Sequence, residues 1–250
     1  MEIPRHHHPL WQVLSTLRDS RFVDLTHSFR PGIPHATDMP DEVRTALYTV
    51  KENGFTAHRY EIVGQWGTHV DPPSHYIENG RPIDKILVDE MLLPLVIFDV
   101  RQMAAEDPDY ALKLEDVRSW EERNDRVPPG AFAALRSGWA LRWPDSEAMQ
   151  NKDELGTSHF PGWSVEALKF LCEERGITAC GHETTDTDPG YLVSQDRFPA
   201  ETYLLSQGKY QIELLASLAQ LPDAGAIIVA AFPKPEGGSG FPARVFAITA

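Results

Sequence analysis

Gly64-Gln65-Trp66-Gly67-Thr68-His69-Val70-Asp71-Pro72-Pro73-Ser74-His75 gathers an amide, two imidazoles and a carboxylate, then ends in a proline-stiffened turn. Adjacent prolines and Gly67 argue against a helix, so i, i+4 stacking does not unite these groups. Extended backbone can. In a strand Gln65, His69 and Asp71 share parity and point to one side, and His75 follows Asp71 by four residues. Such groups on one face can surround a divalent cation. The alternative is a hydrogen-bonded polar cluster at a strand end.

Outward from this stretch the chain reads as short elements joined by shaped loops. The 20 prolines and 17 glycines are spread throughout, with no repeat and no Gly/Ser linker. Apolar and β-branched runs predict strands at 22–25, 47–50, 56–63, 94–99, 131–136, 226–232 and 245–249, with a further short one at 177–180. Periodicity of 3.6 residues predicts helices at 114–124, 165–175 (stopping at Gly176) and 199–207. Strands and helices alternate irregularly, so the expected fold class is α/β, a single mixed domain over residues 1–250. Two loops stand out: 144–163, long and polar enough for a lid or subunit contact, and 233–242, whose glycines permit close backbone approach.

With 42% hydrophobic and 24% charged residues the chain can bury a sizeable core, which excludes general disorder. The most apolar stretches, 91–98 and 224–232, are far short of the roughly 20 residues of a spanning helix. The first residues show no signal-peptide core, and Cys172 and Cys180 are too few for a disulfide framework, so a cytoplasmic location is expected. A net charge of -14 without a basic cluster makes nucleic acid a poor partner. No membrane partner is expected either.

The motif G-T-H-V-D-P-P-S-H at 67–75 resembles the H-x-G-T-H-x-D-x-P-x-H signature of the metal-dependent cyclase-like hydrolases, a family that includes bacterial kynurenine formamidase, isatin hydrolase and trans-dienelactone hydrolase. The likeness continues in order: Asp24-Leu25-Thr26-His27 with Pro31-Gly32-Ile33-Pro34, Ser137-Gly138-Trp139, Phe160-Pro161-Gly162-Trp163-Ser164, and G-G-S-G-F-P-A-R at 237–244. The resemblance implies a swivelling β/β/α fold, a divalent metal cofactor, a small-molecule substrate and a homo-oligomer, dimer or tetramer. The family's late ligands are a His and, twelve residues on, a Glu in an I-E-N-L-like run. Gln211-Ile212-Glu213-Leu214-Leu215 fits that run, so Glu213 takes the ligand role.

Two positions depart from the pattern: Gln65 stands at the first His, and Glu201 at the late His. The implied metal set is therefore Gln65, His69, Asp71, Glu201 and Glu213. Exchanging imidazoles for oxygen donors hardens it toward Mn²⁺, with Zn²⁺ the other candidate. Gln65 is either a ligand or a donor to a ligand, and Glu201 either a ligand or a solvated helix acid. The acid-rich run at 181–188 is read as a hydrogen-bonded loop, with His182 a substitute ligand as the alternative. Trp66, Trp139 and Phe22 are either core residues or an aromatic wall for a flat substrate.

The expected chemistry is hydrolysis of an amide (formamide or cyclic amide) or lactone carbonyl by metal-activated water, arylformamidase-like, with His75 as catalytic proton carrier. The second class of function is a catalytically impaired metal- or small-molecule-binding relative on the same scaffold.

Overall fold

Branched and aromatic side chains alternate along the central strands, and that alternation divides the core in two. A computed structural model describes residues 8–36 and 39–250. Helix α1 (Pro9–Arg18) leads into β1 (Arg21–Asp24), followed by β2 (Val43–Tyr48), the short α2 (Val50–Asn53) and β3 (Ala57–Glu61). Next come β4 (His69–Asp71), β5 (Leu92–Asp99), α3 (Arg101–Glu106), β6 (Ala111–Leu112), α4 (Leu114–Asn124) and β7 (Phe132–Arg136). The second half holds α5 (Ser146–Gln150), β8 (Gly162–Trp163), α6 (Val165–Lys169), β9 (Ala179–His182), α7 (Gly190–Val193) and α8 (Pro199–Ser206). Strands β10 (Tyr210–Glu213), β11 (Ala226–Ala231), β12 (Phe241–Pro242) and β13 (Arg244–Thr249) close the chain.

Nine strands form one mixed sheet in the order β1-β13-β11-β5-β7-β9-β10-β4-β12. The strands β5, β7, β9 and β10 run parallel, flanked on both sides by antiparallel pairs. On one face Leu95, Ile97, Phe132, Ala134, Val70 and Ile212 share a core. On the other, Val96, Phe98, Ala133, Leu135 and Cys180 pack against Val117 and Trp120 of α4, Leu168 of α6 and Leu204 of α8. Strand parity then places His69, Asp71, Gln211 and Glu213 on the helix-covered face, opposite Val70 and Ile212.

The mixed α/β class expected from the sequence holds, and helix 114–124 is found at those residues. Elsewhere local chemistry shifts the boundaries. The strand expected at 47–50 ends at Tyr48, because the Thr49 hydroxyl accepts Glu52 N–H and caps the short α2. The helix expected over 165–175 is α6, capped by Ser164, followed by a π turn over Phe170–Arg175 that stops at Gly176, φ +66°. Strand β9 lies two residues beyond the expected 177–180. Among the described residues, no helix is long and apolar enough to cross a membrane.

Candidate metal centre

The centre sits at the C-terminal ends of the parallel strands β9 and β10, where β4 pairs antiparallel with β10 and sets Gln211 opposite Asp71 and Glu213 opposite His69. Two glycines bring the 237–240 loop against it. A Cβ on Gly64 would lie 2.6 Å from the Gly240 carbonyl oxygen, so these backbones touch only because side chains are absent. The loop is pinned by Gly237 N–H to Asp84 Oδ1 (3.0 Å) and by Ile83 N–H to the Gly238 carbonyl (3.0 Å).

All six residues singled out in the sequence converge here. His69 Nε2 lies 3.2 Å from Asp71 Oδ2 and 3.5 Å from Glu213 Oε2, and ligand atoms of the three lie within 4.8 Å of one another. Asp71, His75 and Glu201 form a second such group, with His75 Nε2 3.9 Å from Asp71 Oδ1. The backbone carbonyl of Gly67 lies 2.7 Å from His69 Nδ1. A carbonyl can only accept, so Nδ1 carries a proton and Nε2 is the nitrogen that can ligate once it gives up its own. Burial lowers the ring's pKa, but the Asp71 charge, with the lesser contributions beside it, outweighs this and raises the pKa above the ordinary histidine value. That Nε2 is buried and has no hydrogen-bond partner among the described residues. A buried imidazole nitrogen without a hydrogen bond, facing two carboxylates at such distances, fits a divalent cation that takes the place of its proton.

Glu201 is 3% exposed, so the solvated-acid reading fails. It lies in the first turn of α8, whose opening is fixed by the Asp188 carboxylate accepting Ala200 N–H (2.8 Å) and Glu201 N–H (3.0 Å). Gln65, expected among the oxygen ligands, directs its amide nitrogen at Asp71 Oδ1 and at the Ser239 carbonyl, both at 3.0 Å. Two acceptors require the NH₂ on that side, so this arrangement steadies Asp71 and turns the amide oxygen away. His75 stands at the cavity edge after the Pro72–Pro73 turn, its Nδ1 3.4 Å from Gln65 Nε2.

Burial raises Asp71 but is outweighed by the positive charge of the His69 ring in its protonated form, with His75 and the Gln65 amide adding to it, so that its pKa is lowered to about 2. Burial, then the Asp71 charge, drives Glu201 and Glu213 well above the carboxylate range. Burial also pushes Asp186 up to about 7 and His182 down to about 3. His182 stands behind Glu213, its Nε2 3.4 Å from Oε1, and neither ring nitrogen has a hydrogen-bond partner among the described residues.

The cavity in front of the centre holds about 270 Å³. The aromatic wall is not the expected one. Trp66 is wholly buried and donates to Glu42, Trp139 lies in a separate cluster with Met149 and Phe160, and Phe22 stacks on Phe246 at the surface. Tyr76 and Phe198, with ring centroids 5.5 Å apart, line the cavity instead, joined by His35 and Met39. Sequence reading missed these, and it missed Gln211, which strand parity with Glu213 could have revealed. A wider groove of about 670 Å³ beside β1 contains Arg44 and Arg244, but both are paired, with Glu42 and Asp24, and no acids converge there.

Comparison with known proteins agrees with this geometry. The Cyclase family model matches residues 23–189. The isatin hydrolase of Roseibium aggregatum is 30% identical over 241 residues, covering 90% of each chain. Isatin hydrolase A from Labrenzia aggregata, solved with benzyl benzoate, superposes with a TM-score of 0.89 at 32% identity, covering 97% of this chain and 99% of that one. An isatin hydrolase bound to the product analogue thioisatinate gives the same TM-score at 27% identity, covering 96% and 97%. With the signature loop, the cation-shaped donor set and the fold all in agreement, the chain belongs to the cyclase-like family of metal-dependent hydrolases and is a hydrolase.

Proposed function

We propose that this enzyme opens the ring of a planar cyclic amide of the isatin type. The observation that carries the reading is His69 Nε2, without a hydrogen bond among the described residues and set with Asp71 and Glu213 at a small cavity walled by Tyr76 and Phe198. The aromatic pair suits a flat, partly apolar substrate, and the relatives named above favour a cyclic amide over a formamide or lactone. His69, Asp71 and Glu213 would hold the cation. Their mostly oxygen donors favour Mn²⁺, with Zn²⁺ the competitor. When bound, such a cation supplies Lewis acidity, drawing electron density from the carbonyl and acidifying water.

Ring opening adds water across the C–N bond: hydroxyl joins the carbonyl carbon, and nitrogen leaves with a proton. His75 has the position and the chemistry to carry that proton, standing at the cavity edge 3.9 Å from Asp71. Asp71, held by Gln65, keeps the His75 ring near the reacting groups. Tyr76 packs edge-on against His75, with ring centroids 4.9 Å apart, and limits its swing.

The test is a hydrolysis screen of isatin, an N-formyl arylamine and an unsaturated lactone, using chelator-stripped protein with Mn²⁺ or Zn²⁺ restored. Isatin turnover that requires the cation supports the proposal. Folded, metal-loaded protein that leaves isatin intact would refute it. The exposed Leu47, Tyr48 and Tyr60 of the β2–β3 hairpin support a homo-oligomer, to be checked by sedimentation. The free thiols of Cys172 and Cys180 support a reducing, cytoplasmic setting.

A further inference from the structure

Gln211 lies at the middle of the acid cluster and is fully buried. Its amide oxygen accepts the Thr187 hydroxyl at 2.6 Å, which fixes the other end of the amide. The nitrogen then faces three carboxylates: Glu201 Oε1 at 2.8 Å, Glu213 Oε1 at 3.0 Å and Asp71 Oδ2 at 3.4 Å. The reverse orientation would set an oxygen against three acids. An NH₂ group carries partial positive charge on two hydrogens, so it offers these acids part of what a cation would.

The amide and the cation position meet at Asp71 Oδ2, 3.2 Å from His69 and 3.4 Å from Gln211, and divide Glu213 between them. His69 approaches Glu213 at Oε2, whereas Gln211 holds Oε1. In the second donor group, Asp71–His75–Glu201, both acids are already engaged: Asp71 Oδ1 by Gln65 and Glu201 Oε1 by Gln211. We propose that Gln211 is a positioning residue that stands in for a second cation, fixing Glu213 toward His69 and limiting the centre to one metal ion per chain. This rests on the metal-centre reading above.

The experiment titrates chelator-stripped, full-length protein with Mn²⁺ alone by calorimetry, with metal analysis after dialysis and apo melting temperatures as control. Wild type binds one Mn²⁺ per chain. Gln211→Glu, which exchanges the amide for a fourth carboxylate, takes up a second. Gln211→Met stays at one and binds it about 10- to 100-fold more weakly, the usual effect of losing a partner that orients a ligand. If Gln211→Glu fails to fold, Thr187→Val frees the amide and weakens Mn²⁺ binding about tenfold. A merely structural glutamine would shift the apo melting temperature and leave affinity and stoichiometry unchanged, which overturns the proposal. Two ions in wild type, or one in a folded Gln211→Glu, also overturns it while leaving the metal centre standing. No uptake of Mn²⁺ by wild type, nor of Zn²⁺ in a parallel titration, removes the metal centre itself.

Discussion

Gly240→Ala tests how far the loop at 237–240 governs the centre. A Cβ at Gly240 would fall 2.2 Å from Gln65 Nε2 and 3.0 Å from Gln65 Cδ, so the amide end has to move. It would lose the bond to Asp71 Oδ1, whose charged acceptor makes it worth about 1.5–3 kcal/mol, and the neutral one to Ser239, worth about 0.5–1.5 kcal/mol. Together these cost about 2–4.5 kcal/mol. The Val70 carbonyl, also 3.0 Å from the new methyl, adds about 1 kcal/mol that does not depend on Gln65. Urea unfolding of wild type, Gly240→Ala, Gln65→Ala and the double variant separates the two contributions. The coupling energy should be about 2–4.5 kcal/mol, because with Gln65 truncated only the Val70 contact remains. Coupling below about 0.5 kcal/mol would show that the glycine serves the backbone alone and refute the reasoning.

His75→Ala should keep its cation yet lose about 10² to 10⁴ in kcat, whereas His69→Ala should lose both; steady-state kinetics with metal analysis distinguishes them, and near-normal turnover in His75→Ala removes the proton carrier. Glu201→Ala should weaken Mn²⁺ binding about tenfold, since Gln211 loses its shortest acceptor, without lowering apo stability, because one buried carboxylate beside Asp71 is gone. Unchanged affinity would detach Glu201 from the centre. Burial, outweighing the pull of Asp24, lowers the pKa of His27 to about 4. The folded chain therefore binds fewer protons than the unfolded one between about pH 4 and 6.5, so stability rises with pH across that window. His27→Gln should remove about 1–2 kcal/mol of that pH-dependent stability, after allowing for its partial exposure, and so flatten the dependence of apo melting temperature on pH there. An unaltered slope would place the titration elsewhere.

Legibility followed the length of the signal. Helix Leu114–Asn124 and the apolar strands near 94–99, 131–136, 226–232 and 245–249 announce themselves because periodicity accumulates over several residues. Strands β4 and β10 contain three and four residues, too few for a pattern, and their pairing is set by contacts distant in sequence. The parity argument for His69 and Asp71 nevertheless survives, since it needs only extended backbone. Glu201 was ambiguous because a helix acid reads the same whether it faces water or a cavity; the cap from Asp188, thirteen residues earlier, decides it. Tyr76 and Phe198 were illegible for a related reason. Each sits in irregular backbone, and only the fold brings their rings together.

The division of labour in the site follows from these origins. His69, Asp71, Gln211 and Glu213 stand on paired strands, all buried, with backbone positions fixed by the ladder and by neighbours on the apolar face. Their geometry is therefore insensitive to surface change. His75, Tyr76 and Phe198 come from a turn and from the start of α8, where a single substitution reshapes the cavity without disturbing the ladder. The acids carry a standing cost: with no cation they repel one another in a place short of water, which is why burial and mutual charge drive Glu201 and Glu213 upward. A bound cation relieves that repulsion, so metal affinity and fold stability are linked; at a hundredfold excess over Kd the link is worth about 2.7 kcal/mol. Two glutamines, Gln65 and Gln211, lower the same cost by permanent hydrogen bonds to Asp71, Glu201 and Glu213. Amides at these two positions let the chain hold its carboxylates in coordinating geometry before metal arrives.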